Sequence, residues 1–232
     1  MNRQRLSRRL QAGLSLVELM VGVTIGLMVV AAATVLMTGQ LAENRRLLLE
    51  TQLQQDLRAA ADIIARELRR VGALAEITAL NTIWHPASGG LIANPFSGSL
   101  ALSTAQVDFN YDPGGGLAGP FGFKLNASNV LEIRLAGSGW QDLTDGNVMK
   151  VTNFTITAGP ALPPLVLPCP HLCATGDTAC WPRTQVRDLI FNITAEARRD
   201  ASVKRAVGGA VRLRNERVEF LTPSGAICPP AP

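Results

Sequence analysis

A single carboxylate, Glu18, stands at the edge of a run of 22 residues, Leu19–Gln40, that carries no charge. Ahead of it come Arg3, Arg5, Arg8 and Arg9, then Gly13-Leu14-Ser15-Leu16-Val17-Glu18. A carboxylate at the end of so long an apolar segment is costly in lipid and needs a partner, so its chemistry is charge pairing. The second reactive set is Cys169, Cys173, Cys180 and Cys228, all in the last third of the chain. An even count of cysteines beyond a membrane span reads as two disulfides, with three possible connectivities. Cys228 lies far along the chain from the other three, so one bridge must tie the C-terminal tail to the Cys169–Cys180 loop.

Other constellations are weaker. His171 falls among Cys169, Cys173 and Cys180, and Cys and His are suitable zinc ligands, but this spacing is not a strong zinc pattern and an oxidising compartment favours disulfides. Asp108, Asn110 and Asp112 match the first ligand positions of a calcium loop, yet Pro113 replaces its glycine and Gly119 stands where its bidentate Glu belongs. His85 and His171 are the two imidazoles, both in loop-like contexts, and no nucleophile motif or phosphate-cradling loop accompanies them. No metal, no cofactor and no enzymatic activity is expected. Gly22 and Gly26 form a G-x-x-x-G that puts both glycines on one helix face and permits close helix approach.

These residues need elements to carry them. Leu19–Gln40 is long enough to cross a bilayer as a helix, at ~1.5 Å per residue and ~20 residues per span. A secretory signal peptide has a similar start, and Ala31-Ala32-Ala33 would serve as its cleavage site, but its apolar core runs only ~7–15 residues. An ordinary membrane anchor explains the length but neither Gly13 nor Glu18. Beyond the span a helical rhythm continues through Leu49, Leu53, Leu57, Ala60, Ile64, Leu68 and Val71, with charged residues opposite. Arg69 and Arg70 suit a helix C-terminus and Gly72 the cap after it. No proline interrupts Leu14–Trp84.

The following segment, Ala75–Ala105, reads as loop. Period-two alternation then predicts strands around Val107–Tyr111, Phe121–Leu125, Leu131–Leu135, Val151–Thr157, Leu189–Ala197 and Val211–Phe220, with turns at Gly114-Gly115-Gly116 and Gly137-Ser138-Gly139. Consecutive strands with few helical interruptions imply a mainly antiparallel sheet. The expected organisation is a leader at 1–13, an N-terminal helix at 14–74 that spans the membrane at about 19–40, and a β-rich domain at 75–232 with a disulfide-stapled surface loop at 159–182. The fold class is α+β: a long N-terminal helix, half transmembrane and half amphipathic, packed on a mainly antiparallel sheet.

The net charge of +4 belongs to the leader: its four Arg, taken from 22 basic residues, leave 18 against 18 acidic ones. The basic balance is therefore no sign of nucleic-acid binding. Basic residues before an apolar span hold that end in the cytoplasm, which places the rest of the chain across the membrane.

The Gly13, Leu14 and Glu18 arrangement resembles the class III signal of type IV prepilins, although Leu14 stands where Phe is common. Leu16–Gly26 is similar to the opening of PilW-type minor pilins, Ile64–Gly72 to the end of their first helix, and Val211–Arg217 to an Arg-Asn element near their C-terminus. The resemblance implies a pilin-like fold. It also implies cleavage after Gly13 and methylation of Leu14 by prepilin peptidase, and an assembly role for Glu18. The implied protein is a minor pilin that primes type IV pilus assembly near the filament tip. Its partners would be other minor pilins, the major pilin, an inner-membrane assembly platform and a large tip adhesin. It would be a single-pass inner-membrane protein with a periplasmic globular domain until incorporated into a surface pilus. The alternative with the same plan is a minor pseudopilin of type II secretion (GspJ-like). Ala75–Pro182 carries no motif-level match.

Overall fold

The structure is a computed structural model and describes residues 13, 15–74, 96, 99–114, 119–215, 217–219, 221 and 228–229. Its elements in chain order are α1 (Leu16–Leu68), β1 (Ala101–Ser103), β2 (Gln106–Phe109), β3 (Phe121–Leu125), β4 (Leu131–Arg134), β5 (Trp140–Asp142), β6 (Met149–Ala158), β7 (Leu165–Val166), β8 (Arg183–Gln185), β9 (Asp188–Ala197), β10 (Asp200–Arg212) and β11 (Arg217–Glu219). The chain divides into two compact units, Met1–Leu48 and Leu49–Pro232.

In the first unit the described chain is helix from Leu16 onward, uninterrupted through Gly22, Gly26 and Gly39. It is long and apolar enough to cross a membrane. Its large apolar side chains are exposed, from Leu16 through Met20, Ile25 and Met28 to Met37. Polar groups in the run are satisfied locally: the Thr24, Thr34 and Thr38 hydroxyls donate to the carbonyls of Val21, Val30 and Val35 at 2.9, 2.8 and 2.9 Å. Such back-bonding leaves no side-chain hydroxyl stranded in hydrocarbon.

In the second unit Leu53, Leu57, Ala60, Ala61, Ile64 and Leu68 are buried, as the three-and-four spacing demands, and Val71 follows them. Leu49, which begins the expected stripe, is half-buried. The stripe joins one core with the inward residues of two antiparallel sheets, including Val107, Phe109, Phe123, Leu131, Phe154, Leu189, Phe191 and Ile193. The larger sheet is a meander, β1-β2-β3-β4-β5, and the second has the order β10-β9-β6. A third, small sheet of order β11-β8-β7 lies outside the expected set. The fold is α+β, a long N-terminal helix packed on antiparallel sheets, in the pilin-like arrangement.

Two local readings are corrected. The stretch Ala75–Ala105 is not all loop, because Ala101–Ser103 pairs with β2; residues 75–95 lie outside the described residues. The strand expected at Val211–Phe220 ends at Arg212 and begins instead at Asp200, and Arg217–Glu219 belongs to another sheet. Gly208 and Gly209 hid the long strand, since glycine weakens a strand pattern. Here the Phe191 ring lies where a Cβ on Gly209 would stand, 2.9 Å away, so the glycine lets that ring pack flat. The 159–182 excursion contains the short strand Leu165–Val166, which pairs with β8. Finally, β6 breaks strict alternation, burying Val151, then Phe154 and Ile156. A register shift between Val151 and Asn153 explains this: one extra residue turns two neighbours outward.

Candidate functional site

The segment Gly13–Gly26 is built from a helix start. Leu19 N–H donates to Ser15 O at 3.1 Å, so Ser15 occupies the cap position and Glu18 falls three residues into the helix. Ser15-Leu16-Val17-Glu18 has the sequence form of a capping box, but the bond observed at this helix start is the backbone one. A carboxylate in the first turn gains ~0.3–1 kcal/mol from the helix dipole. Placing an acid in a membrane helix costs up to ~2.5–3.5 kcal/mol on insertion scales. The dipole therefore offsets only part of the cost, and Glu18 still needs a positive partner. The Leu14 side of the junction lies outside the described residues.

A Cβ on Gly22 or Gly26 would meet nothing within 4 Å, and the same holds for Gly13 and Gly39. Among the described residues nothing requires glycine there, while each mid-helix glycine costs ~1 kcal/mol relative to alanine.

The cysteine set is placed in full. Cys169 bonds Cys228 across 59 residues, and Cys173 bonds Cys180 across 7. Of the three connectivities open to the sequence, this one ties the tail to the loop and closes a small inner ring. Within that ring Asp177 Oδ1 accepts from Ala179 N at 3.0 Å and from the Thr175 hydroxyl at 2.9 Å. Those bonds, the backbone one foremost, hold its carboxyl below the usual range. Trp181 Nε1 donates to His171 O at 2.9 Å, which uses the backbone of that histidine and leaves its ring exposed. With all four sulfurs in disulfides, the zinc reading has no thiolate to offer.

The calcium candidate is dispersed. Asp108 pairs with Arg134 across Gly122, and Asp112 Oδ1 accepts from Gly114 N at 2.8 Å. Asp108 and Arg134 belong to an outward polar face in which Lys124 pairs with Glu132 at 3.0 Å. Trp140 lies beside both cations, its ring centroid 4.3 Å from Lys124 Nζ and 4.9 Å from Arg134 Cζ. Hydrogen bonds from Asn126 first, then Lys124, hold the Glu132 carboxyl below its ordinary value despite burial. His85 lies outside the described residues.

The end of the helix forms a second polar cluster. Gly72 has φ +73°, the left-handed cap conformation. Asn215 Nδ2 donates to Val71 O at 2.9 Å, so the Arg-Asn element caps the helix terminus from the far end of the chain. Tyr111 OH donates to Glu67 Oε2 at 2.7 Å beside Arg70. Burial, then the Glu67 carboxylate, pushes the Tyr111 phenol up to about 12.

Residues 8–34 match the Prokaryotic N-terminal methylation motif, a span that includes Gly13, Leu14, Glu18, Gly22 and Gly26. Comparison with curated proteins and with solved structures gives no match. Residues 46–213, most of the second unit and well over half of the chain, match Prepilin peptidase-dependent protein B. The two matches point to a structural, pilin-like protein, and the chain belongs to the Prepilin peptidase-dependent protein B family.

Proposed function

We propose that this protein is a minor pilin, of PilW type, that primes type IV pilus assembly and sits near the filament tip. The observation that carries the reading is the exposed apolar helix from Leu16 onward, which lies under a methylation motif and bears glycines with no neighbour among the described residues. Prepilin peptidase cuts between Gly13 and Leu14 and methylates the new amine. Glu18 then pairs with the N-terminal amine of its own or a neighbouring subunit, which supplies the missing positive partner. The helix moves from bilayer to a filament core of similar helices, so its apolar side chains never meet water. The second unit lies in the periplasm before assembly and supplies the contacts that choose other minor pilins, the major pilin, the assembly platform and a tip adhesin. The two disulfides suit that oxidising compartment.

A minor pseudopilin of type II secretion uses the same physics with a secreted protein as the downstream partner. Mass spectrometry of the mature N-terminus, together with identification of co-purifying components, tests the proposal. A methylated chain beginning at Leu14 and isolated with pilus components is expected. A chain beginning near Thr34 sinks the prepilin reading, and isolation with secretion components selects the pseudopilin.

A further inference from the structure

The hairpin between β9 and β10 turns on two arginines, Arg198 and Arg199, between Ala197 and Asp200, which pair across it. Tight hairpins favour Asn, Asp or Gly at such positions. Both arginines are exposed and neither has positive φ. The turn geometry therefore does not require them, and a local rule broken without a structural gain points to function.

The other charges at this end of the sheet are already matched. Glu196 sits between Lys150 and Lys204, 3.5 Å from each. Arg205 pairs with Glu50. Asp145 accepts from Asn147 N, and Asp200 accepts from Ser202 N and its hydroxyl. Among the described residues no carboxylate pairs with Arg198 or Arg199.

The pair also has a definite place along the strand. β10 and the segment just after it are tied to the helix at two points: Arg205 contacts Glu50, and Asn215 caps Val71. Ten residues of extended chain cover about 33 Å, and the 21 residues from Glu50 to Val71 cover about 32 Å of helix. Strand and helix thus run side by side in one direction. Beyond Arg205, which pairs with Ala195, the hairpin runs two more positions along β9 to Ala197 opposite Asp200, roughly 7 Å, with β10 bulged between Asp200 and Lys204, and this carries the arginine tip past Glu50. Glu50 lies where the chain enters this unit from Leu48. Ten residues separate it from Gln40, the last of the charge-free run, and even fully extended they reach no more than about 36 Å.

We propose that the Arg198–Arg199 hairpin tip is a docking point for the anionic headgroups of the membrane that holds the helix. The proposal rests on the membrane-anchored reading above and adds to it a contact for the waiting subunit. Each arginine near an anionic surface adds attraction that falls off within a Debye length, ~8–10 Å. Extraction into a filament breaks this contact, so it biases the subunit toward the bilayer until assembly partners are engaged.

The test uses the full chain in vesicles of phosphatidylcholine alone or of phosphatidylcholine with phosphatidylglycerol. Trypsin is added outside, and fragments ending at Arg198 or Arg199 are timed by mass spectrometry. Cleavage is expected to be roughly tenfold to thirtyfold slower with phosphatidylglycerol, and the difference is expected to vanish at about 0.5 M salt. Arg198→Gln and Arg199→Gln each retain one cleavage site, and each is expected to lose several-fold of the protection. Equal rates in the two vesicles overturn the proposal. So does protection that survives each single substitution and high salt, which would mark a protein contact. A chain that floats with neither vesicle overturns the anchoring reading itself.

Discussion

Glu18 and Gly122 are single residues whose environments make opposite demands. Glu18 stands in the first turn of a helix whose neighbours are apolar and exposed, and the second unit begins only at Leu49. Glu18→Ala is therefore expected to leave the disulfide-bonded unit folded and the leader cleavable while incorporation into filaments falls. Immunoblotting of sheared filaments beside the membrane fraction checks this, and normal incorporation contradicts the charge-pairing role. Gly122 is constrained from within. A Cβ there would stand 2.6 Å from Val107 O and 2.9 Å from Asp108 Oδ1, with the Trp140 ring 3.2 Å away. The closest atom is backbone and cannot swing aside. Gly122→Ala is expected to destabilise the folded state by ~1–3 kcal/mol, the range for overpacking, read as a lower midpoint in denaturant. An unchanged midpoint would show that β2 and β3 can separate at no cost.

Among elements, the two disulfides should differ in worth because they close loops of different length. In the chain-entropy model a separation of 59 residues gives about 4 kcal/mol and one of 7 about 2 kcal/mol. A Cys169→Ser, Cys228→Ser variant is expected to lose roughly twice the stability of a Cys173→Ser, Cys180→Ser variant. Equal losses in chemical denaturation would place the stabilisation in native contacts instead. The helix end gives a pH signature. Tyr111 ionises at about 12 when folded, against about 10 when exposed. Above pH 10 the unfolded chain sheds a proton that the folded chain keeps, so this contribution is full below pH 10 and is lost between pH 10 and 12. Tyr111→Phe should flatten stability against pH in that window. An unaltered slope would show that Tyr111 does not titrate with unfolding.

For the molecule as a whole, the two units divide the work. The charge-free run offers generic apolar surface, whereas the sheets and the stapled loop carry distinctive shape and polar groups, which is where differential affinity arises. A chimera joining residues 1–40 of another prepilin to residues 41–232 of this chain is expected to prime pili with this protein's own partners. The reciprocal chimera, with this helix on a foreign globular domain, is expected to fail. If that second chimera restores piliation in a strain lacking this protein, specificity lies in the helix and Gly22 and Gly26 take the larger role.

Local periodicity and composition encode part of this protein before any folding is considered. The charge-free run, the helical stripe from Leu53 to Val71, the Gly72 cap and the alternating strand Leu189–Ala197 were all legible, because burial of one face repeats along the chain at the period of the element. An even set of cysteines announced two bridges but not which sulfurs meet, since pairing depends on Cα atoms brought within 5.6 and 5.8 Å by the fold. Tertiary contacts settled the rest. They lengthened β10 through two glycines by laying Phe191 over one of them. They split the expected C-terminal strand so that Asn215 could turn back to cap Val71, 144 residues away in sequence. They also paired Asp108 on β2 with Arg134 on β4. Each of these rests on a contact between residues far apart in the chain, and such a contact leaves no periodic trace in the segments that make it.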